Sequence, residues 1–176
     1  KDFAFYYNVV PTHDPTLSNP QWKGLFHLIY IRHLTNGTEV GFGHAWSQHL
    51  STWTVDPNAF REGPAGSWDA QHVFAPSVIL NGNTYSMFYT GLDASSNQRV
   101  GYVSTALLDT SDTVWSTGNR RMVFDADSTS WVTRNPTGFF TTQQFRDPFV
   151  FPHPNPDSIG KFFMLYTAMD NGVTAT

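Results

Sequence analysis

A proline-opened strand returns three times along this chain, each time followed by a turn and a run of aromatics. The copies are His13-Asp14-Pro15-Thr16-Leu17 before Phe26-His27-Leu28-Ile29-Tyr30, Phe74-Ala75-Pro76-Ser77-Val78 before Tyr85-Ser86-Met87-Phe88-Tyr89-Thr90, and Arg146-Asp147-Pro148-Phe149-Val150 before Phe162-Phe163-Met164-Leu165-Tyr166-Thr167. Repetition on this scale implies a modular architecture built from small sheets. Helical periodicity is almost missing, and short β-prone runs bounded by Gly, Pro, Asn and Asp take its place. The chain therefore reads as all-β. A β-sandwich accommodates alternating short strands but gives no reason for the opening strand to return. Four-stranded antiparallel sheets in series make a β-propeller, whose innermost strands line a central channel.

The whole of 1–176 reads as one partial propeller domain with three blades, roughly 11–62, 72–125 and 145–176. The first blade is expected to hold strands at 14–17, 26–32, 39–47 and 53–60. The second is expected at 77–80, 84–90, 99–105 and 121–124, and the third at 149–151, 161–168 and from 173 onward. Asn36-Gly37, Asn81-Gly82 and Asn171-Gly172 are expected as tight two-residue hairpin turns. Three blades do not close a ring, for which about four are needed. The expectation is a portion of a longer protein, cut inside its third unit, or a ring completed by a second copy through open blade edges.

Composition narrows the partners. The net charge is −4 and there is no basic block, which argues against nucleic acid. No apolar run has membrane-spanning length. Cysteine is absent, which removes disulfides and thiolate chemistry together. The seven His show no metal-ligand spacing, no Gly-x-Ser-x-Gly elbow occurs, and Gly41-Phe42-Gly43 lacks the third glycine of a phosphate loop. No metal or cofactor is expected. Aromatic residues make up 16% of the chain, a share that suits β cores and sugar-stacking surfaces alike.

Asp14 and Asp147 both precede a proline that opens a repeat. An Asp-Pro pair alone often does no more than start a turn. Two copies in equivalent places would aim two carboxylates at one centre, as glycoside hydrolysis requires. Asp14 is the candidate nucleophile or base, and Asp147 the candidate stabiliser of a cationic transition state. His13, His44 and His72 are candidates for hydroxyl recognition in the same cleft. Trp22, Phe42, Trp46, Trp68 and Phe74 are candidate sugar platforms, although blade packing is the commoner fate of any one of them. Strand alternation puts Arg146 on the face opposite Asp147, as a substrate contact rather than a partner. Phe88, Tyr89, Phe163 and Tyr166 are expected in the core. The only glutamates, Glu39 and Glu62, are expected at a hairpin edge and in a Gly/Pro loop, so the general acid is expected beyond Thr176.

These segments resemble the five-bladed propeller glycosidases, most closely glycoside hydrolase family 32, the invertase and fructanase group. His13-Asp14-Pro15-Thr16-Leu17 is similar to its Asn-Asp-Pro-Asn-Gly motif. Phe42-Gly43-His44-Ala45-Trp46-Ser47, with Leu50 and Trp53, is similar to its Trp-Gly-His-Ala-x-Ser segment. Phe88 to Gly91 matches Phe-Tyr-Thr-Gly, and Arg146-Asp147-Pro148 matches Arg-Asp-Pro. The resemblance implies five blades, Asp14 as nucleophile, Asp147 as stabiliser, and a Glu in a later Glu-Cys motif as acid. His13 and Ile31 stand where the family has Asn and Gln. Phe74-Ala75-Pro76-Ser77 looks instead like the Ala-Pro strand of family 43, in which the first Asp acts as base with inversion. The expected protein is a secreted or periplasmic hydrolase of fructosides or pentosides. The alternative is a non-catalytic carbohydrate-binding or scaffold propeller.

Overall fold

The computed structural model describes residues 2–7, 26–81, 84–105, 115, 119–126, 144–155 and 161–169. Ten strands run through them: β1 (Phe3–Tyr7), β2 (Phe26–His33), β3 (Glu39–Ser47), β4 (Thr54–Phe60), β5 (His72–Asn81), β6 (Thr84–Leu92), β7 (Gln98–Thr105), β8 (Arg121–Asp125), β9 (Phe145–Pro152) and β10 (Phe162–Ala168). They form antiparallel sheets in the orders β1-β2-β3-β4 and β5-β6-β7-β8, and a pair β10-β9. Three sheets in chain order, two of them four-stranded meanders and the third a two-stranded pair among the described residues, are blades of an open β-propeller. The opening strands are neighbours in space, β1 against β5 and β5 against β9.

Alternation builds each blade. In β2, His27, Ile29 and Ile31 are buried while the residues between them are less so. β3 lies between β2 and β4 and is buried almost continuously from Gly41 to Ala45. Gly41, at φ +75, is required there, because a Cβ would strike the Phe60 carbonyl. The β2–β3 connection is a five-residue loop, 34–38, rather than the two-residue turn expected at Asn36-Gly37. Gly37 supplies its positive φ, and Asn36 Oδ1 accepts from the Thr38 N–H at 3.0 Å. β5 and β6 pair out to Asn81↔Thr84, although Gly82 and the Asn171-Gly172 turn lie outside the described residues.

Two cores seal the stack. Between the first and second sheets lie Ile29, Phe42, Phe60, Val73, Met87, Tyr89, Val103 and Trp115. Between the second and third lie Val100, Phe145, Phe88, Phe124, Met164 and Tyr166. A buried polar clasp joins the blade connections. Asp69, fully buried, accepts from Tyr89 Oη at 2.9 Å and from Arg120 at 2.8 Å, and Arg120 also reaches the Arg61 carbonyl. Burial, then the Asp69 carboxylate, push the Tyr89 hydroxyl far above its ordinary pKa, so it stays a donor.

Two expectations change, and one is left untested. The strand paired with β2 is Phe3–Tyr7, so the first sheet begins upstream of 11. The segment 14–17 lies outside the described residues. Phe163 is not core: with Phe149 and Leu165 it stands exposed on the outer face of the third sheet, while Met164 and Tyr166 pack inward.

Candidate functional site

The start of each opening strand meets at one open pocket of about 460 Å³, lined by Asp2, Phe3, Ala75, Pro76, Asp147 and Pro148. Two of its walls share a device. Phe74 pairs with Thr90 and Ser77 with Phe88, so Ala75-Pro76 together oppose Tyr89 alone. Arg146 pairs with Thr167 and Phe149 with Leu165, so Asp147-Pro148 together oppose Tyr166 alone. Each is a β-bulge, which absorbs the proline that could not donate to the ladder. Ala75 has φ +47 and Asp147 φ +58, the left-handed region that costs a non-glycine residue about 1–2 kcal/mol. Such strain persists where surrounding structure enforces it, and it gathers at functional sites.

The surroundings that enforce it are visible. The Asp147 N–H donates to Thr90 Oγ1 at 2.9 Å, the Val150 N–H to Ser77 Oγ at 3.0 Å, and the Phe145 N–H to Gln98 Oε1 at 2.8 Å. Side chains of β5, β6 and β7 thereby bind the backbone of β9 on both sides of the bulge. Thr167 Oγ1 donates to Asp147 Oδ2 at 3.3 Å. Arg146 Nε lies 3.4 Å from the same oxygen, with both side chains more than two-fifths exposed. The bulge breaks the alternation that had placed Arg146 on the opposite face, so it is an ion partner of Asp147 after all. An exposed pair of this kind is weak. The Asp147 carboxyl is raised above its ordinary value. Burial raises it most, Arg146 opposes, the Asp2 carboxylate raises it further, and Thr167 opposes again.

The other sequence candidates separate into three groups. His13, Asp14 and Trp22 lie outside the described residues. Phe42 and His44 are placed in the interior. Phe42 has no exposed surface and packs on Phe60 and Tyr89, so it offers no face to a sugar. His44 is buried, its Nε2 2.9 Å from Nδ1 of His27, within a stack that runs from Tyr6 through His27 to Trp46. Phe74 is half-buried against the first core and beside His72, one residue from the pocket wall. Trp68 lies over Gly91 and Gly101, where any Cβ would collide with its ring. Among the described residues no group of three His, Asp or Glu could hold a metal ion.

Sequence reasoning missed Asp2, Phe3 and the two anchoring hydroxyls of Thr90 and Ser77. The signal for Asp2 was present: an acidic residue opens the aromatic strand Phe3–Tyr7, as Asp147 opens β9. No proline marked it.

The successive antiparallel sheets define a propeller, and the family to which the chain belongs makes it a glycoside-hydrolase-like one. The family model "Glycosyl hydrolases family 32 N-terminal domain" matches residues 14–175, and the chain belongs to that family. No curated protein matches the chain in sequence.

Proposed function

We propose that this propeller belongs to a hydrolase of O-glycosidic bonds in fructosides or pentosides. The observation that carries the reading is Asp147, a carboxylate held on a strained bulge at the meeting point of three blades. Its role is to face the anomeric centre and stabilise positive charge as the glycosidic bond breaks. The family motif gives the attacking role to Asp14, as nucleophile or as base. The general acid is a third carboxyl group of the protein other than Glu39, which is paired with His33 at 3.4 Å, and Glu62, which is not among the pocket-lining residues. Phe3, 61% exposed and lining the pocket, is a platform for the apolar face of a sugar ring. The resemblance of Phe74-Ala75-Pro76-Ser77 to the Ala-Pro strand of family 43 keeps pentosides beside fructosides as substrates.

The test is turnover of sucrose, fructans and nitrophenyl pentosides by the full-length gene product. Release of free sugar is expected, falling on the order of 10³-fold in Asp147→Asn. No turnover, with sugar binding equal in wild type and variant, favours a carbohydrate-binding propeller instead.

A further inference from the structure

A second pocket, of about 410 Å³, opens on the second blade and is lined by Tyr102, Ser104, Asn119, Arg120 and Arg121. It lies at β7 and β8, the outer half of the sheet β5-β6-β7-β8, whereas the pocket holding Asp147 draws on β5 at the opposite edge of that sheet. One side chain makes room for it. The β7–β8 ladder ends at Tyr102↔Arg121, and beyond that pair the Asn119 side chain takes over the role of a strand. The Ser104 N–H donates to Asn119 Oδ1 at 3.2 Å, and Asn119 Nδ2 donates to the Ser104 carbonyl at 2.7 Å and to its Oγ at 2.9 Å. Both main-chain groups of Ser104 are thus satisfied by a compact amide in place of a neighbouring strand, which leaves a recess at the rim of the blade.

The two arginines of the recess differ. Arg120 is committed: it donates to buried Asp69 at 2.8 Å and to the Arg61 carbonyl at 2.6 Å, and its guanidinium lies 4.3 Å from the centre of the Phe60 ring. Its charge is matched, and it serves as a wall. Arg121 is exposed, lies over the Tyr102 ring at 4.6 Å, and pairs with no carboxylate among the described residues. The contact with the ring orients the guanidinium and leaves its forked N–H donors to a ligand. No acidic side chain among the described residues lines the recess to repel an anion. Ser104 Oγ accepts from Asn119 and keeps its own proton to donate. We propose that this recess is a surface site for an anionic saccharide. A carboxylate or a sulfate ester of the sugar takes the Arg121 fork, and a neighbouring sugar hydroxyl accepts from Ser104 Oγ. A saccharide suits a chain of this carbohydrate-cleaving family. The proposal goes beyond the glycosidase reading, because binding here requires no cleavage and no residue of the Asp147 pocket.

The experiment titrates the full-length gene product at low salt with trigalacturonate, with its neutral methyl ester and with a sulfated galactotriose, following binding by calorimetry. Saturable binding of an anionic sugar is expected, weakened by added salt and absent for the methyl ester. Tighter binding of trigalacturonate assigns the carboxylate, and tighter binding of the sulfated sugar assigns the ester. Arg121→Gln is expected to lose about tenfold or more in affinity, the worth of a charge-assisted hydrogen bond. Arg121→Lys keeps the charge without the fork and should fall between the two. Asp147→Asn should bind as wild type does, which separates this recess from the Asp147 pocket. Equal affinity in wild type and Arg121→Gln, equal binding of the methyl ester, or no binding of either anion overturns the proposal. None of these outcomes depends on whether the protein cleaves a glycoside, so the glycosidase reading stands or falls separately.

Discussion

Ala75 and Asp147 occupy the same backbone. Both precede proline, both have positive φ, both share a bulge with that proline, and both oppose a tyrosine across the ladder. Their side chains differ completely in consequence. Ala75 is 6% exposed and silent, whereas the Asp147 side chain is 44% exposed and gathers Thr167 and Arg146 around its carboxylate. The comparison separates scaffold from chemistry. The bulge recurs in the second and third blades and sets one residue of each at the shared pocket, and the identity of that residue decides what the blade contributes. This is how one propeller can serve many reactions.

The sharpest way to break the comparison is Asp147→Ala, which makes the third bulge a copy of the second. Turnover of a cleavable glycoside by the full-length gene product should fall on the order of 10³-fold. The melting temperature should barely move, because the backbone already exists with alanine at 75. A large drop in melting temperature would mean that Asp147 maintains its bulge and is not merely carried by it.

Next in size is the anchor. Thr90 has no exposed surface, and its hydroxyl accepts the Asp147 N–H. Thr90→Val keeps the shape and leaves that N–H without its partner. Stability should fall by about 1 kcal/mol, the net contribution of a hydrogen bond lost at a part-buried position. The carboxylate should also lose its aim, and a displacement of that order can cost up to about 10²-fold in rate. Loss of stability with full turnover would show that the bulge is fixed by β9 and β10 alone.

Much of this was legible beforehand, and the failures have physical causes. β2, β3, β4, β6 and β7 were readable because aromatic and β-branched runs end at turn residues. β5 was read as starting at Ser77, because Pro76 reads as opening the strand; the bulge lets the strand continue through Pro76 from His72. β1 was missed for the opposite reason, since nothing punctuates it and it has only five residues. Asp147 was found from its motif, but its neighbour was misjudged, because alternation fails at a bulge. Phe42 and His44 looked like site residues because β3 is rich in aromatics and small residues. Those same residues let β3 pack on both faces, which sequence periodicity does not distinguish from a cleft wall.

A smaller effect tests the backbone itself. Ala75→Gly removes the penalty of a left-handed alanine without touching any polar group. Thermal unfolding should show a gain of up to about 1 kcal/mol, less the added freedom of glycine in the unfolded chain. Asp147→Gly should gain less, since Asp tolerates this region better than Ala, and should lose turnover as Asp147→Ala does. Equal gains at both sites would mean that the aspartate contributes nothing to holding its own conformation.

The smallest effect is electrostatic, and its sign separates a structural aspartate from the pocket one. At Asp93 burial alone would raise the carboxyl, but Arg99, Asn97 and the Asn97 and Ser95 N–H groups outweigh it and hold it at about 2. A lowered carboxyl stabilises the fold above its ordinary value of 3.8, and that contribution is lost as pH falls through about 2. Asp147 is displaced the other way, so the folded chain holds its proton more tightly than the unfolded one. Its effect is most favourable below 3.8 and is lost as pH rises through the folded value. Because the side chain is well exposed, solvent screening should keep the effect below about 1 kcal/mol. Melting curves between about pH 2 and 6 should therefore lose a rising slope in Asp93→Asn and a falling slope in Asp147→Asn. A pocket carboxylate whose removal steepened the fall would not be the destabilised group that the bulge presents to the channel.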